Sequence, residues 1–227
     1  MPKNIEGYYQ ETGRAGRDSQ EAHAWMTYGL NDVVNQRRMI DESPAGEDFK
    51  QVMRGKLDAL LGLAEAVGCR RQVLLRYFGE AAEPCGNCDL CDRPAVVFDA
   101  TDAVRKALSA ILRTGEYFGA GHLIDILTGN PTPKVREKGH DALPTFAVGR
   151  DLSKPAWGAV FRQMMGRDLV RPDPDRFGAL RMTDHARPIL RGEAAITLRR
   201  DTIEKAVPRV AVKTMVAEED ASLLSAL

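Results

Sequence analysis

Pro84-Cys85-Gly86-Asn87-Cys88-Asp89-Leu90-Cys91 packs three cysteines into seven residues, and the one further cysteine of the chain is Cys69. The spacing is C-x15-C-x2-C-x2-C. Three cysteines this close cannot easily pair as disulfides among themselves. Pro84, Gly86 and Asn87 turn the chain into a knuckle whose sulfurs converge on one point. Four thiolates in that arrangement form a closed tetrahedral zinc site. Buried free thiols, a disulfide pair and an iron–sulfur cluster are the alternatives. No secretory signal pattern points to an oxidising compartment, and the Cys-Pro step of the common bacterial ferredoxin run is absent. With all four positions filled by protein, zinc here would hold structure and do no chemistry.

Working outward, Cys69 opens a segment, Arg70 to Phe78, in which Val73, Leu74, Tyr77 and Phe78 fall on one helical face. Upstream, Lys56 to Gly68 sets Leu57, Leu60, Leu61, Ala64 and Val67 at helix spacing before a glycine stop. Downstream, Pro94 to Thr101 reads as a linker, after which Val104, Ala107, Leu108, Ile111 and Leu112 mark an amphipathic helix. His122 to Thr128 is a second, shorter helix, closed by Gly129-Asn130-Pro131. Ser153 caps a third, with Pro155 in its first turn, where a missing N–H costs nothing. Trp157, Val160, Phe161 and Met164 form its buried stripe, and Trp157 and the Met164-Met165 pair read as core. Two strand-like runs follow, Leu169 to Arg171 and Ala179 to Met182, joined by a turn-rich link. Three helices and a hairpin are the order of a winged helix, a fold that serves DNA binding or protein interaction. The outer face of its third helix would offer Lys154, Arg162 and Gln163, and the wing Arg171, Arg176 and Arg181, side chains suited to phosphate contacts that do not read sequence.

The 227 residues are 44% hydrophobic and 28% charged, with no apolar stretch long enough to span a membrane. A net charge of zero conceals an asymmetry: residues 1–100 carry 12 Lys/Arg against 16 Asp/Glu, whereas residues 101–200 carry 17 against 11. The middle hundred residues are where a polyanion would bind. At the other end of the chain, Tyr8-Tyr9-Gln10-Glu11-Thr12-Gly13-Arg14-Ala15-Gly16-Arg17-Asp18 sets two arginines three apart among small residues. Glycines admit close backbone approach to a ligand, and arginine forks match phosphate oxygens; on its own the segment reads equally as a basic turn on a helix.

Together these blocks resemble the RecQ family of DNA helicases. Ile5 to Asp18 is similar to helicase motif VI, and Cys69-Arg70-Arg71 through Cys91 is similar to the family's zinc subdomain. Gly139-His140-Asp141, Gly149-Arg150-Asp151 and Ala186 to Glu193 are similar to its winged helix. The implied fold is mostly α with small β. Residues 1–28 would be the edge of a second RecA-like lobe, 29–98 the zinc subdomain, 99–200 the winged-helix domain, and 201–227 a linker and the start of a truncated helical domain. The implied activity is ATP-driven 3′ to 5′ unwinding of duplex and branched DNA in recombination, replication, repair and the SOS response. By position, Arg17 would be an arginine finger, Arg14 its neighbour and Gln10 a residue at the edge of the nucleotide site. Cys69, Cys85, Cys88 and Cys91 would hold structural zinc. The resemblance also implies forks and junctions as partners, with a single-strand-binding protein through the winged helix, while cysteine usage, neutral charge and the lack of an export signal or membrane span fit a cytoplasmic, nucleoid-associated location with no membrane partner.

The departures bear on activity. No G-x-x-x-x-G-K-[ST] occurs in the chain, so ATP and Mg²⁺ are expected only with a first lobe. Met1 looks like an internal methionine and Asp220 to Leu227 like a helix cut short, so the chain is read as a fragment, inactive as an ATPase alone. The rival function is a non-enzymatic zinc and winged-helix module that binds DNA. Ser19 and a proline-bearing wing depart from the family pattern, with Phe177 the one aromatic of the wing. His140 beside Asp141 reads as a loop anchor, and His23, His122 and His185 show no metal spacing.

Overall fold

The computed structural model describes residues 1–16, 22–173, 176 and 178–201. The expectations placed on Arg17, Ser19, Phe177 and the stretch 202–227 lie outside the described residues.

Helix α1 (Ile5–Thr12) starts at Asn4, whose side-chain oxygen accepts from the Gly7 N–H at 2.8 Å. It lays Ile5 against Leu60 and Leu63 of α3 (Glu47–Ala64). Two polar contacts reinforce that packing: Lys56 Nζ lies 2.8 Å from Glu6, and the Tyr77 hydroxyl donates to Glu6 at 3.1 Å. Between them in the chain comes α2 (Leu30–Asp41), which also packs on α3 and whose Val33 is fully buried. Helix α3 buries Leu57, Leu60, Leu61 and Ala64 as the spacing requires but ends at Ala64. Val67, expected on the same stripe, lies beyond the helix and is exposed. Helices α4 (Arg70–Tyr77) and α5 (Asp89–Asp92) flank the cysteine knuckle.

The stretch expected to be a linker contains β1 (Val97–Asp99), which pairs antiparallel with β4 (Thr197–Arg199), Phe98 opposite Leu198. Three-residue strands a hundred positions apart carry no periodicity that a sequence window can detect. The pairing brings the two ends of the winged helix together. Within it lie α6 (Thr101–Arg113), α7 (Ala120–Thr128), the short α8 (Pro133–Glu137), α9 (Lys154–Gly166), the hairpin β2 (Val170–Asp173) and β3 (Ala179–Met182), and α10 (Arg187–Arg191). Gly129 closes α7 at φ +70°, and a Cβ there would meet Ala147 at 2.7 Å. Ser153 caps α9 by accepting from the Ala156 N–H, with Pro155 in the first turn. Trp157, Phe161, Met164 and Met165 are wholly buried, and the Trp157 indole N–H donates to the Gly149 carbonyl at 2.8 Å.

One apolar core joins the halves. Val33, Leu57 and Leu61 from α2 and α3 share it with Trp157, Phe161 and Met165 of α9 and with Leu180 of the hairpin. At 25 cal/mol per Å², each such buried side chain is worth about 1.5–3 kcal/mol, so the zinc subdomain and the winged helix pack as one body. Among the described residues no helix is long and apolar enough to cross a membrane.

Candidate metal centre and nucleic-acid interface

The four cysteine sulfurs lie within 4.8 Å of one another, and no disulfide joins them. A zinc ion with Zn–S bonds of about 2.3 Å sets its sulfurs roughly 3.8 Å apart at tetrahedral geometry, and Cys85 and Cys91 are already at 4.0 Å. The backbone explains the convergence. Cys69 immediately precedes α4, Cys88 precedes α5, Cys91 sits within it, and Gly86 at φ +69° reverses the chain between Cys85 and Cys88. Burial raises the Cys69 thiol pKa, but the backbone N–H of Cys85, 3.3 Å from its sulfur, and the neighbouring thiols outweigh it and bring the value to about 6. At Cys91 the Gly86 N–H is outweighed by burial and the neighbouring thiols, which push it up to about 11, so the convergence of the four sulfurs is what suits the set to a divalent cation.

Arg70 fastens this centre to its surroundings. Its guanidinium holds both oxygens of Asp89, at 2.6 and 2.8 Å, and also donates to the carbonyls of Leu63 and Ala64 at the end of α3. The hydrogen bond from Arg70 keeps the Asp89 carboxyl below its ordinary range. The knuckle, α4 and α3 are thus tied through a single side chain that the zinc spacing alone would not single out.

The face expected to present Lys154, Arg162 and Gln163 divides. Lys154 is exposed and pairs with Asp125 at 2.6 Å. Gln163 corrects the expectation, for it is 1% exposed. Its amide donates to the Arg199 carbonyl and its oxygen accepts from the Arg199 N–H, both at 2.8 Å, which extends β4 by a side chain. Arg162 is corrected likewise: its side chain is 12% exposed and spans Glu65 at 2.5 Å and Asp201 at 2.6 Å. Glu65, itself buried, also accepts from the Tyr28 hydroxyl at 2.5 Å and pairs with Arg199 at 3.2 Å. Burial and the Glu65 charge together push the Tyr28 hydroxyl well above the tyrosine range. These residues clasp the end of α3 to α9 and β4.

The wing does present arginines. In β2 and β3 the exposed side chains are Arg171 and Arg181, directly opposite each other. Like charges at facing positions repel, and two aspartates offset this. Asp168, at φ +55°, holds Arg171 with both oxygens at 2.5 and 2.8 Å, while buried Asp173 lies 3.6 Å from Arg181 and 3.5 Å from Arg176. Gln10 and Arg14 are exposed, on α1 and in the turn after it. His122 and His140, which show no relation in sequence, meet at 2.8 Å around the Phe118 ring; that contact joins α7 to the loop after α8 and carried no signal in the spacing.

A four-cysteine centre welded to a winged helix with a basic wing defines the class. The RecQ zinc-binding family matches residues 30–92 and the RQC domain family residues 94–207. The chain is 38% identical over 218 residues to the ATP-dependent DNA helicase RecQ of Pasteurella multocida, covering 95% of this chain and 33% of that protein. It is 36% identical over 219 residues to the RecQ helicase of Haemophilus influenzae, covering 96% and 34%, and 30% identical over 197 residues to that of Bacillus subtilis, covering 86% and 33%. The chain belongs to the RecQ family, and it spans about a third of the length of these relatives.

Proposed function

We propose that this chain is the zinc-braced, duplex-gripping part of an ATP-dependent DNA helicase that moves 3′ to 5′ and unwinds forks and other branched DNA. The observation that carries the reading is the wing, whose exposed strand positions are arginines, on a winged helix locked to a four-cysteine centre. Cys69, Cys85, Cys88 and Cys91 would hold zinc, which supplies rigidity and no reaction chemistry. Lys154, Arg171, Arg176 and Arg181 would take backbone phosphates, positioning the duplex without reading its sequence. Arg162 and Gln163 leave that set. Arg17 would neutralise charge as the terminal phosphoryl group of ATP departs, with Arg14 and Gln10 beside it, once a lobe bearing the phosphate cradle and Mg²⁺ is present. A single-strand-binding protein is a fitting partner for the winged helix.

The absence of G-x-x-x-x-G-K-[ST] from these residues favours a second reading of the chain by itself, a DNA-binding module without ATPase activity. Zinc content and fork binding measured on one purified sample test the proposal. One zinc per chain, with affinity that falls about linearly in log salt with a slope near −0.9 per phosphate contacted, is the expected result. Stoichiometric zinc with no DNA binding, or binding indifferent to salt, would overturn it. A Mg²⁺-dependent ATPase rate above background would overturn the second reading.

A further inference from the structure

We propose that Tyr117, in the loop between α6 and α7, is a stacking platform for an unpaired base at the end of a bound duplex. The inference rests on the DNA-binding reading above and assigns it a residue outside the wing strands. Tyr117 is 61% exposed. A single exposed aromatic is unremarkable on a protein surface, but this one is held on three sides. Glu116, just before it, adopts φ +59°, a conformation disfavoured for a residue with a side chain. Such strain persists where the surroundings over-determine it, and here the Glu116 carboxylate accepts the Met182 N–H of β3 at 2.8 Å. Just after it, the Phe118 carbonyl accepts the Leu180 N–H of the same strand at 3.0 Å. At the Cδ2–Cε2 edge of the ring lies Gly115, where a Cβ would sit 3.2 Å from Tyr117 Cδ2.

The loop is therefore fastened to the hairpin on both sides of Tyr117, and the fastening leaves the ring outward. The Arg176 guanidinium lies 4.0 Å from the ring centroid. A cation over an aromatic ring fixes its orientation, and a second π-face alongside, with a phosphate for the arginine, is what one unpaired nucleotide offers. Arg171 and Arg181 extend from the same hairpin to follow the adjoining backbone. Single-stranded nucleic acid is the ligand that uses all three features together.

The test is fluorescence anisotropy on the zinc-loaded chain with a fork carrying unpaired tails and with a blunt duplex of the same paired sequence. Loss of a stacked base corresponds to about a five- to 150-fold drop in affinity. Tyr117→Ala is expected to weaken fork binding at least about fivefold and to leave the blunt duplex within about twofold, while Tyr117→Trp keeps fork affinity. 2-Aminopurine at the first unpaired position should be quenched by the wild type and not by Tyr117→Ala. Fork binding unchanged in Tyr117→Ala, or fork and blunt binding lowered by the same factor, overturns the stacking role. A wild type that holds zinc and binds neither DNA overturns the proposed function, and the stacking role with it.

Discussion

Arg162 offers the sharpest contest between a surface and a structural assignment, because its charge and position on α9 would serve either. Glu65 sits 2.5 Å from Arg162 and 3.2 Å from Arg199, and its side chain is 4% exposed. Replacing Glu65 with Ala would leave two arginine side chains, 12% and 17% exposed, with Asp201 as their one shared carboxylate among the described residues and the Ala64 carbonyl as a further acceptor for Arg199. Removing one partner of a buried pair costs about 3–5 kcal/mol when the remaining charge is stranded. Asp201 spares both arginines full stranding, so about 2–4 kcal/mol is the expectation for Glu65→Ala, and Arg162→Ala should cost somewhat less, because buried Glu65 keeps Arg199 and the Tyr28 hydroxyl as partners. For a chain of this size about 3 kcal/mol lowers the melting temperature by about 6–12 °C.

The assay is a denaturant titration of both variants and the double variant, paired with DNA binding across a range of salt. The clasp predicts that the two losses fail to add, with a coupling of about 1–3 kcal/mol, and that the salt slope of DNA binding stays as in the wild type. A phosphate contact predicts the reverse: stability within about 0.5 kcal/mol of wild type and a salt slope smaller by about one for Arg162→Ala. That second pattern would refute the reasoning.

Two further outcomes follow from the packing. A Cβ on Gly149 would stand 2.4 Å from Trp157 Cζ2, so Gly149→Ala should destabilise by about 1–3 kcal/mol through overpacking, read by thermal melting. Burial first, and then the charge of His140, hold the His122 pKa down to about 4, against about 6.5 in an unfolded chain. Because the folded value is depressed, the unfolded state binds the extra proton, so stability is full above about pH 6.5 and falls as the pH drops toward 4. After discounting for solvent screening, His122→Gln should remove about 1 kcal/mol of the loss between pH 7 and pH 5, seen as a flatter pH dependence in urea unfolding.

What the sequence discloses depends on how far apart the interacting residues lie. The cysteine knuckle is legible because three of its four ligands fall within one turn of chain and thiolates admit few other arrangements. The hairpin is legible because two short strand-forming runs flank a turn-rich link, although its burial does not alternate cleanly: Arg171 and Arg181 are exposed, whereas Asp173 and Ala179 on the same face are buried. Gln163 and Arg162 mislead because a polar residue off the apolar stripe of a helix looks the same whether it meets solvent or a neighbouring subdomain. Their partners, Arg199 and Glu65, lie 36 and 97 positions away. Tyr117 escapes for a related reason: its exposure is set by hydrogen bonds from β3 to the residues on either side of it, 62 and 66 positions later in the chain.

Under the proposed function, the packing also sets how a displacement would pass through the molecule. Helix α1, which ends beside Arg14, is anchored by Ile5 to α3; α3 ends at Glu65, which holds Arg162 of α9; and α9 shares its core with the hairpin that carries the wing. Each junction is a buried contact and not a tether, and close-packed interfaces shift between discrete arrangements more readily than they stretch. A displacement imposed on α1 by a nucleotide-bound lobe would therefore arrive at Arg171 and Arg181 as a movement of the whole body. Weakening Glu65–Arg162 would then cost coupling as well as stability. In a chain joined to such a lobe, Glu65→Ala should lower unwinding per ATP consumed below the level that its loss of folded protein explains, a ratio that the phosphate-contact assignment leaves unchanged.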